Sequence, residues 1–204
     1  MNTRPLWLAS ASPRRRRLLE QAGFAAVLAP PALDDARLSP VPCPIEHRVA
    51  ALAWFKAAQI VRTLRGASGA SGGVVLAADT VCDIDGEPIG KPTSPEQAAA
   101  LLERMQERTH RTCTGVCVYD LAGSRRSIFV DVASVTLGAL DRAQIAQHLE
   151  HRAWVGKAGG YNFAEQVDAG WPLACVGDPT SVMGLPMRRL QPLLESILDE
   201  RGAA

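Results

Sequence analysis

Pro5-Leu-Trp-Leu-Ala-Ser10-Ala-Ser12-Pro-Arg14-Arg15-Arg16-Arg17-Leu18-Leu19-Glu-Gln-Ala22-Gly23 reads as a strand, a short serine turn and a helix. The apolar run 5–9 supplies the strand. Ser12 before Pro13 is a helix N-cap followed by proline at the first helical position, and Gly23 is a stop signal. Four arginines crowd the first turns of that helix, whose N-terminus already carries about half a positive charge. Each is unfavourable there by roughly 0.3–1 kcal/mol, before mutual repulsion. An anion such as a polyphosphate, bound at the serine turn, reverses that penalty, because a helix N-terminus offers unpaired backbone N–H groups. Helical geometry prevents four consecutive side chains from facing one ligand, so some of the arginines are solvated. The alternatives are a merely solvated basic face, or contact with nucleic acid or acidic lipid. Aromatic residues make up 5% of the chain and no second basic block occurs, so stacking on bases has little support.

Outward from this segment, strand-like and helix-like patterns alternate, as in a mixed α/β fold. Residues 24–28 look like a second strand. A polar, proline-rich connection follows at 30–44 and carries Asp34-Asp35. The stretch 44–64 is a long helix with Ile45, Val49, Leu52, Ala53 and Ile60 on one stripe. Residues 66–73 are a Gly/Ser loop, flexible by composition. A buried strand at 74–78 ends at Asp79. Strands 81–84 and 87–89 flank Asp85-Gly86, a pairing that favours a type I′ hairpin turn. Helices are expected at 95–107, from Asp141 to His151, and at 186–198; longer paired strands at 111–119 and 127–137. Residues 1–204 have room for one domain, with two lobes around a central cleft.

Composition bounds the function. With 22 basic and 21 acidic side chains the net charge is +1, so any anion binding is local. Apolar residues at 47% and charged residues at 21% are globular values and exclude disorder. The longest apolar runs, such as 73–78, are too short to span a membrane, and the N-terminal one is too brief for a secretory signal. A cytoplasmic protein is expected. Cys43, Cys82, Cys113, Cys117 and Cys175 are odd in number and lack CxxC spacing, so they read as small hydrophobes in a reducing compartment. His148 and His151 share helical spacing but lack a third zinc ligand nearby.

Chemistry concentrates elsewhere. Asp79 follows Val-Val-Leu-Ala-Ala, and carboxylates at strand ends border the ligand crevice of α/β sheets. With Asp34 or Asp35 it could hold a divalent ion, since magnesium takes one or two such oxygens plus phosphate and water; alone, Asp79 could equally cap a turn. Lysine occurs only as Lys56, Lys91 and Lys157, against 19 arginines. Gly90-Lys91 and Gly156-Lys157 invite comparison with a P-loop, but neither has the glycine spacing or the following Ser/Thr. The glycines after Lys157 imply a tight loop that a ligand can approach.

These segments resemble the Maf family of nucleoside triphosphate pyrophosphatases, first named for an effect on septum formation. The resemblance covers nearly the whole chain and rests on an ordered set. Its members are Leu8-Ala-Ser10-Ala-Ser12-Pro-Arg14-Arg15-x-x-Leu18-Leu19, Ala78-Asp79-Thr80-Val81, Asp85-Gly86-Glu87, Gly90-Lys91-Pro92, Lys157-Ala-Gly-Gly-Tyr161 and Gly184-Leu185-Pro186. It implies a mixed twisted sheet with flanking helices and a deep cleft, similar to the inosine triphosphate pyrophosphatases. The implied reaction releases pyrophosphate and a nucleoside monophosphate with help from Mg²⁺ or Mn²⁺. By motif, Ser10, Arg14 and Arg15 hold phosphates, Asp79 is proton acceptor and metal ligand, and Lys56 and Lys91 contact phosphate. Asp34 falls on an acidic metal position that is usually glutamate.

For the base, Arg14 and Thr80 resemble members acting on thymidine and uridine triphosphates; the branch acting on 7-methylguanosine triphosphate shows tryptophan and glutamine there. The third discriminating position lies in a loop that the pyrimidine type writes Tyr-Gly-Ile-Gln-Gly. Here it reads Tyr161-Asn162-Phe163-Ala164-Glu165-Gln166, which leaves Glu165 or Gln166 to face the base. Glutamine both donates and accepts, whereas ionised glutamate only accepts. The resemblance thus favours dTTP, UTP or modified pyrimidine nucleotides, with 7-methyl-GTP or a non-catalytic nucleotide-binding regulator of cell division as alternatives. No membrane or stable nucleic-acid partner is expected, and a homodimer through the last helix is open.

Overall fold

The computed structural model describes residues 4–32, 43–68 and 72–199. In chain order its elements are β1 (Leu6–Leu8), α1 (Pro13–Gln21), β2 (Ala26–Leu28), α2 (Ile45–Ser68), β3 (Val74–Ile84), β4 (Glu87–Ile89) and α3 (Pro95–Met105). Then come β5 (Arg108–Asp120), β6 (Arg125–Leu137), α4 (Arg142–Glu150), a 3-10 turn (Ala158–Gly160), α5 (Phe163–Asp168), β7 (Leu173–Val176), α6 (Pro179–Val182) and α7 (Met187–Asp199). The seven strands form one mixed sheet in the order β2-β1-β3-β5-β6-β7, with β4 paired to β3. β1 runs parallel to β2 and β3, and the remaining pairings are antiparallel. Flanking helices complete an α/β fold.

Helix α1 forms as its sequence dictates. The Ser12 hydroxyl caps it by accepting from the Arg15 N–H, and Pro13 opens the first turn. At the other end, the N–H groups of Gly23 and Phe24 reach back to the carbonyls of Glu20 and Leu19, a Schellman stop. Gly23 has φ +83°, the left-handed conformation this motif needs.

Alternation along β3 sends its two faces to different helices. Val74, Leu76 and Ala78 pack with Leu18 and Leu19 of α1 and with Leu190 and Leu194 of α7. Val75 and Ala77 pack with Ala53, Ala57 and Ile60 of α2. Both faces are covered, which explains the unbroken apolar run 74–78. A third cluster, including Ile84, Leu102, Met105, Tyr161 and Trp171, covers the distal half of the sheet.

The strand does not end at Asp79. It continues to Ile84, because β5 pairs with it residue by residue from Val74↔Asp120 to Asp83↔Arg111. What ends is the parallel part of the sheet: Leu8 and Leu28, the last residues of β1 and β2, lie level with Leu76. Asp79 and Thr80 therefore emerge past the ends of their neighbours, one on the α2 face and one on the α1 face. Opposite Asp79 in the register stands Gly115. A Cβ there would lie 2.3 Å from the Val49 carbonyl oxygen, so the missing side chain lets α2 lie directly on the sheet.

Two further differences are local. Helix α2 continues through Gly66 to Ser68, since an isolated glycine costs only about 1 kcal/mol against alanine. The elements α5, β7 and α6 carry too few periodic residues to be read in advance. The Asp85-Gly86 hairpin forms as expected, with φ +53° and +83°. Asp34 and Asp35 lie outside the described residues.

Candidate active site

A cleft of about 590 Å³ opens where β1 and β2 stop. Among the described residues, its lining contributes five cations, Arg14, Arg15, Arg48, Lys56 and Lys91, and a single carboxylate, Asp79. Its near wall comes from α1, α2 and β3. Lys56 descends from α2 onto Asp79 with Nζ 2.6 Å from the carboxylate, both residues buried. The Arg15 guanidinium donates to the Gly184 carbonyl (3.0 Å), to Ser10 Oγ (3.3 Å) and to Thr80 Oγ1 (3.1 Å). Ser10 Oγ also accepts from the Ser12 N–H at 3.1 Å, which curls the serine turn around it. Arg14 lines the cleft beside them, whereas Arg16 turns out to pair with Glu20 at 2.6 Å and Arg17 is exposed.

The far wall is different in kind. It contains Met105, His110, Tyr161, Asn162 and Phe163, together with Gly159 of the glycine turn. Gly159 and Gly160 both have φ +74°, and the Gly159 N–H bonds to the Gly90 carbonyl at 3.3 Å, tying the turn to the segment that carries Lys91. His110 and Tyr161 form a buried pair, Tyr161 Oη to His110 Nε2 at 2.9 Å. Burial pushes the imidazole down to about 4, against the opposing charge of Asp83, so the ring is neutral. Burial likewise raises the Tyr161 phenol, which keeps its proton.

Glu165 and Gln166 are not brought into the cleft. Gln166 is buried, and Glu165 is ion-paired with Lys157 and accepts from Asn162 Nδ2 at 2.7 Å. Burial works to raise the Glu165 pKa, but Lys157, Asn162 and the charge of Arg14 outweigh it and hold the carboxyl below its usual range. No group of three or more His, Cys, Asp or Glu residues suited to a metal occurs among the described residues. His148 instead bonds the Gly160 carbonyl through Nε2 at 2.7 Å.

Arg48, His110, Thr112 and Asn162 were not singled out by the sequence reading. Arg48 sits at the head of a four-residue spacing, Arg48-Leu52-Lys56, that marks one helical stripe. His110, Thr112 and Thr114 alternate along a buried strand, and polar residues at period two share one face, from which His110 and Thr112 line the cleft. Either pattern was a usable signal.

An α/β sheet whose cleft gathers five cations around one buried acid defines a class of polyanion-handling proteins. Residues 5–197 match the model of the Maf-like protein family, and the chain belongs to that family. It is 37% identical to the dTTP/UTP pyrophosphatase of Salinibacter ruber, over 91% of this chain and 87% of that one. Identity to the enzyme of the same name from Rhodopirellula baltica is 36%, covering 96% of this chain and 83% of that one. For that of Burkholderia thailandensis it is 34%, covering 94% and 92%.

Proposed function

We propose that this chain hydrolyses dTTP and UTP, or modified pyrimidine nucleotides, to the monophosphate and pyrophosphate. The observation that carries the reading is the lining itself: five cations and one carboxylate match a tetra-anionic triphosphate that must be both held and attacked. Asp79 orients a water and takes its proton as the oxygen bonds the α-phosphorus. The bond to the bridging oxygen breaks, and pyrophosphate leaves. Lys56 holds Asp79 turned into the cleft and places its ammonium charge beside the phosphate chain. Arg15, Arg14 and Ser10 bind the phosphate chain at the start of α1, and Lys91 closes on it from the rim. The far wall of Tyr161, Asn162 and Phe163 meets the base.

The donor set suits a divalent ion shared with the substrate: one carboxylate with phosphate and water oxygens is enough for Mg²⁺ or Mn²⁺. Asp79 would hold it, with Asp34 as second acid, and bound there it supplies charge neutralisation on the phosphate oxygens. No described helix is long and apolar enough to cross a membrane. Free thiols at all five cysteines suit a reducing cytoplasm. The chain acts as one two-lobed unit, without a stable nucleic-acid partner; a homodimer is compatible with this reading.

The test is a panel of ribo- and deoxyribonucleoside triphosphates, 7-methyl-GTP and modified UTP with Mg²⁺ or Mn²⁺, scoring pyrophosphate separately from orthophosphate. Pyrophosphate with equimolar dTMP or UMP is the expected result. Orthophosphate would relocate the attack, preference for 7-methyl-GTP would overturn the base assignment, and no release by folded protein would leave a binding role.

A further inference from the structure

Behind Thr80 lies a hydroxyl chain whose direction is fixed by chemistry. Thr114 Oγ1 lies 2.9 Å from the Ser181 carbonyl oxygen, which can only accept, so the single Thr114 proton is committed there. Thr80 Oγ1 lies 3.0 Å from Thr114 Oγ1, and with the Thr114 proton used, Thr80 must donate. Arginine can only donate, so Arg15 Nη2 gives its proton to Thr80 at 3.1 Å. The order is Arg15 to Thr80 to Thr114 to Ser181. The same Ser181 carbonyl accepts the Gly184 N–H at 2.9 Å, and the Gly184 carbonyl holds Arg15 Nε at 3.0 Å. Thr114 thus stands where two routes to one guanidinium meet, itself fully buried and outside the cleft lining.

We propose that Thr114 is a positioning residue that sets the plane of the Arg15 guanidinium for the phosphate chain, and that Thr80 acts on substrate only through Arg15. This rests on the reading of the cleft as a triphosphate site. It changes what Thr80 can do: its proton is spent on Thr114, so toward the cleft it offers acceptor lone pairs alone, one of them already taken by Arg15. Discrimination among nucleotides at Thr80 then runs through where Arg15 is held.

The experiment compares Thr114→Val, which keeps the shape, with Thr114→Ser, which keeps the hydroxyl, each alone and with Arg15→Ala. Inorganic tripolyphosphate binding is measured beside steady-state kinetics. Thr114→Val is expected to weaken tripolyphosphate and raise KM for the preferred nucleotide roughly tenfold, the worth of one hydrogen bond, with a smaller change in kcat. Thr114→Ser restores both, and in the Arg15→Ala background Thr114→Val adds nothing. Unchanged affinity in a folded Thr114→Val protein, or a full additional loss without Arg15, overturns the proposal. If Thr114→Val does not fold, Thr80→Val takes its place: a loss that persists in the Arg15→Ala background means that Thr80 meets substrate directly. Tripolyphosphate binding needs no turnover, so a wild type that releases no pyrophosphate defeats the functional reading while the affinity data still decide this one.

Discussion

On the near wall of the cleft Lys56, Asp79 and Arg15 are tied to backbone or to another polar group. Lys56 meets Asp79, and Arg15 is held at three points. On the far wall the described polar groups include one neutral His–Tyr pair set among Met105, Phe163 and Trp171, and the His110 Nδ1 atom is buried with no partner among the described residues. The near wall is organised for charge, where a fixed donor gains most because no reorganisation is needed when negative charge develops. The far wall is organised for shape, and its polar pair is kept uncharged by burial. Charge and shape are thereby assigned to surfaces that can be altered separately.

The most severe break of the near wall is Asp79→Asn. It removes the proposed proton acceptor and should lower kcat by about 10³-fold, within the usual range for a general base, while nucleotide affinity stays within the same order of magnitude. Equilibrium binding beside single-turnover rates checks it; an active Asp79→Asn protein sinks the role. Gly115→Ala acts from outside the cleft. The new methyl meets the α2 backbone at Val49 and Ala50, lifts the helix and draws Lys56 from Asp79. Overpacking of this kind costs about 1–3 kcal/mol. Activity should fall by more than the stability loss explains at temperatures where the protein remains folded, which thermal melts and assays on one preparation will resolve.

The far wall is probed by pH. His110 stays neutral in the folded chain down to about 4, whereas unfolded it takes up a proton near 6.5. Between those values the unfolded state binds more protons, so stability declines as pH falls through that window and levels off below it. The shift corresponds to about 3 kcal/mol. His148, also lowered chiefly by burial, works in the same direction. Denaturant midpoints of His110→Gln should show a shallower acid decline than wild type; an identical slope would remove His110 as its source. Smallest of all is Glu165→Gln. Its carboxylate is engaged by Lys157 and Asn162, so the ratio of UTP to 7-methyl-GTP turnover should shift by no more than about twofold, the worth of one surface ion pair.

Local signals made much of this legible. Ser12, Pro13 and Gly23 mark α1 because caps act within a few bonds, and Asp85-Gly86 fixes its hairpin for the same reason. Reading Asp79 as a strand terminus failed because a polar side chain interrupts a hydrophobic pattern without interrupting a backbone ladder, and the ladder is supplied by β5, more than thirty positions away in sequence. The Arg15 contacts to Gly184 and Thr80 were equally out of reach: they join residues 169 and 65 positions apart, and no local rule encodes such meetings. Glu165 shows the converse: its place in a motif suggested the base, and in the fold its carboxylate pairs with a lysine eight positions back.

Asp79 and Thr80 are consecutive, yet one serves the lysine on α2 and the other the arginine on α1. The two halves of the site are therefore kept apart by nothing more than odd and even positions along one strand. Slipping β3 by a single residue would leave its hydrogen bonds to β5 intact in number but carry each side chain to the opposite face, taking the carboxylate off the Lys56 side and the hydroxyl off the Arg15 side. A one-residue insertion or deletion between Val74 and Asp79 would thus be inverting for the chemistry while remaining nearly silent for the sheet, whereas length changes in the surface loops leave this parity untouched.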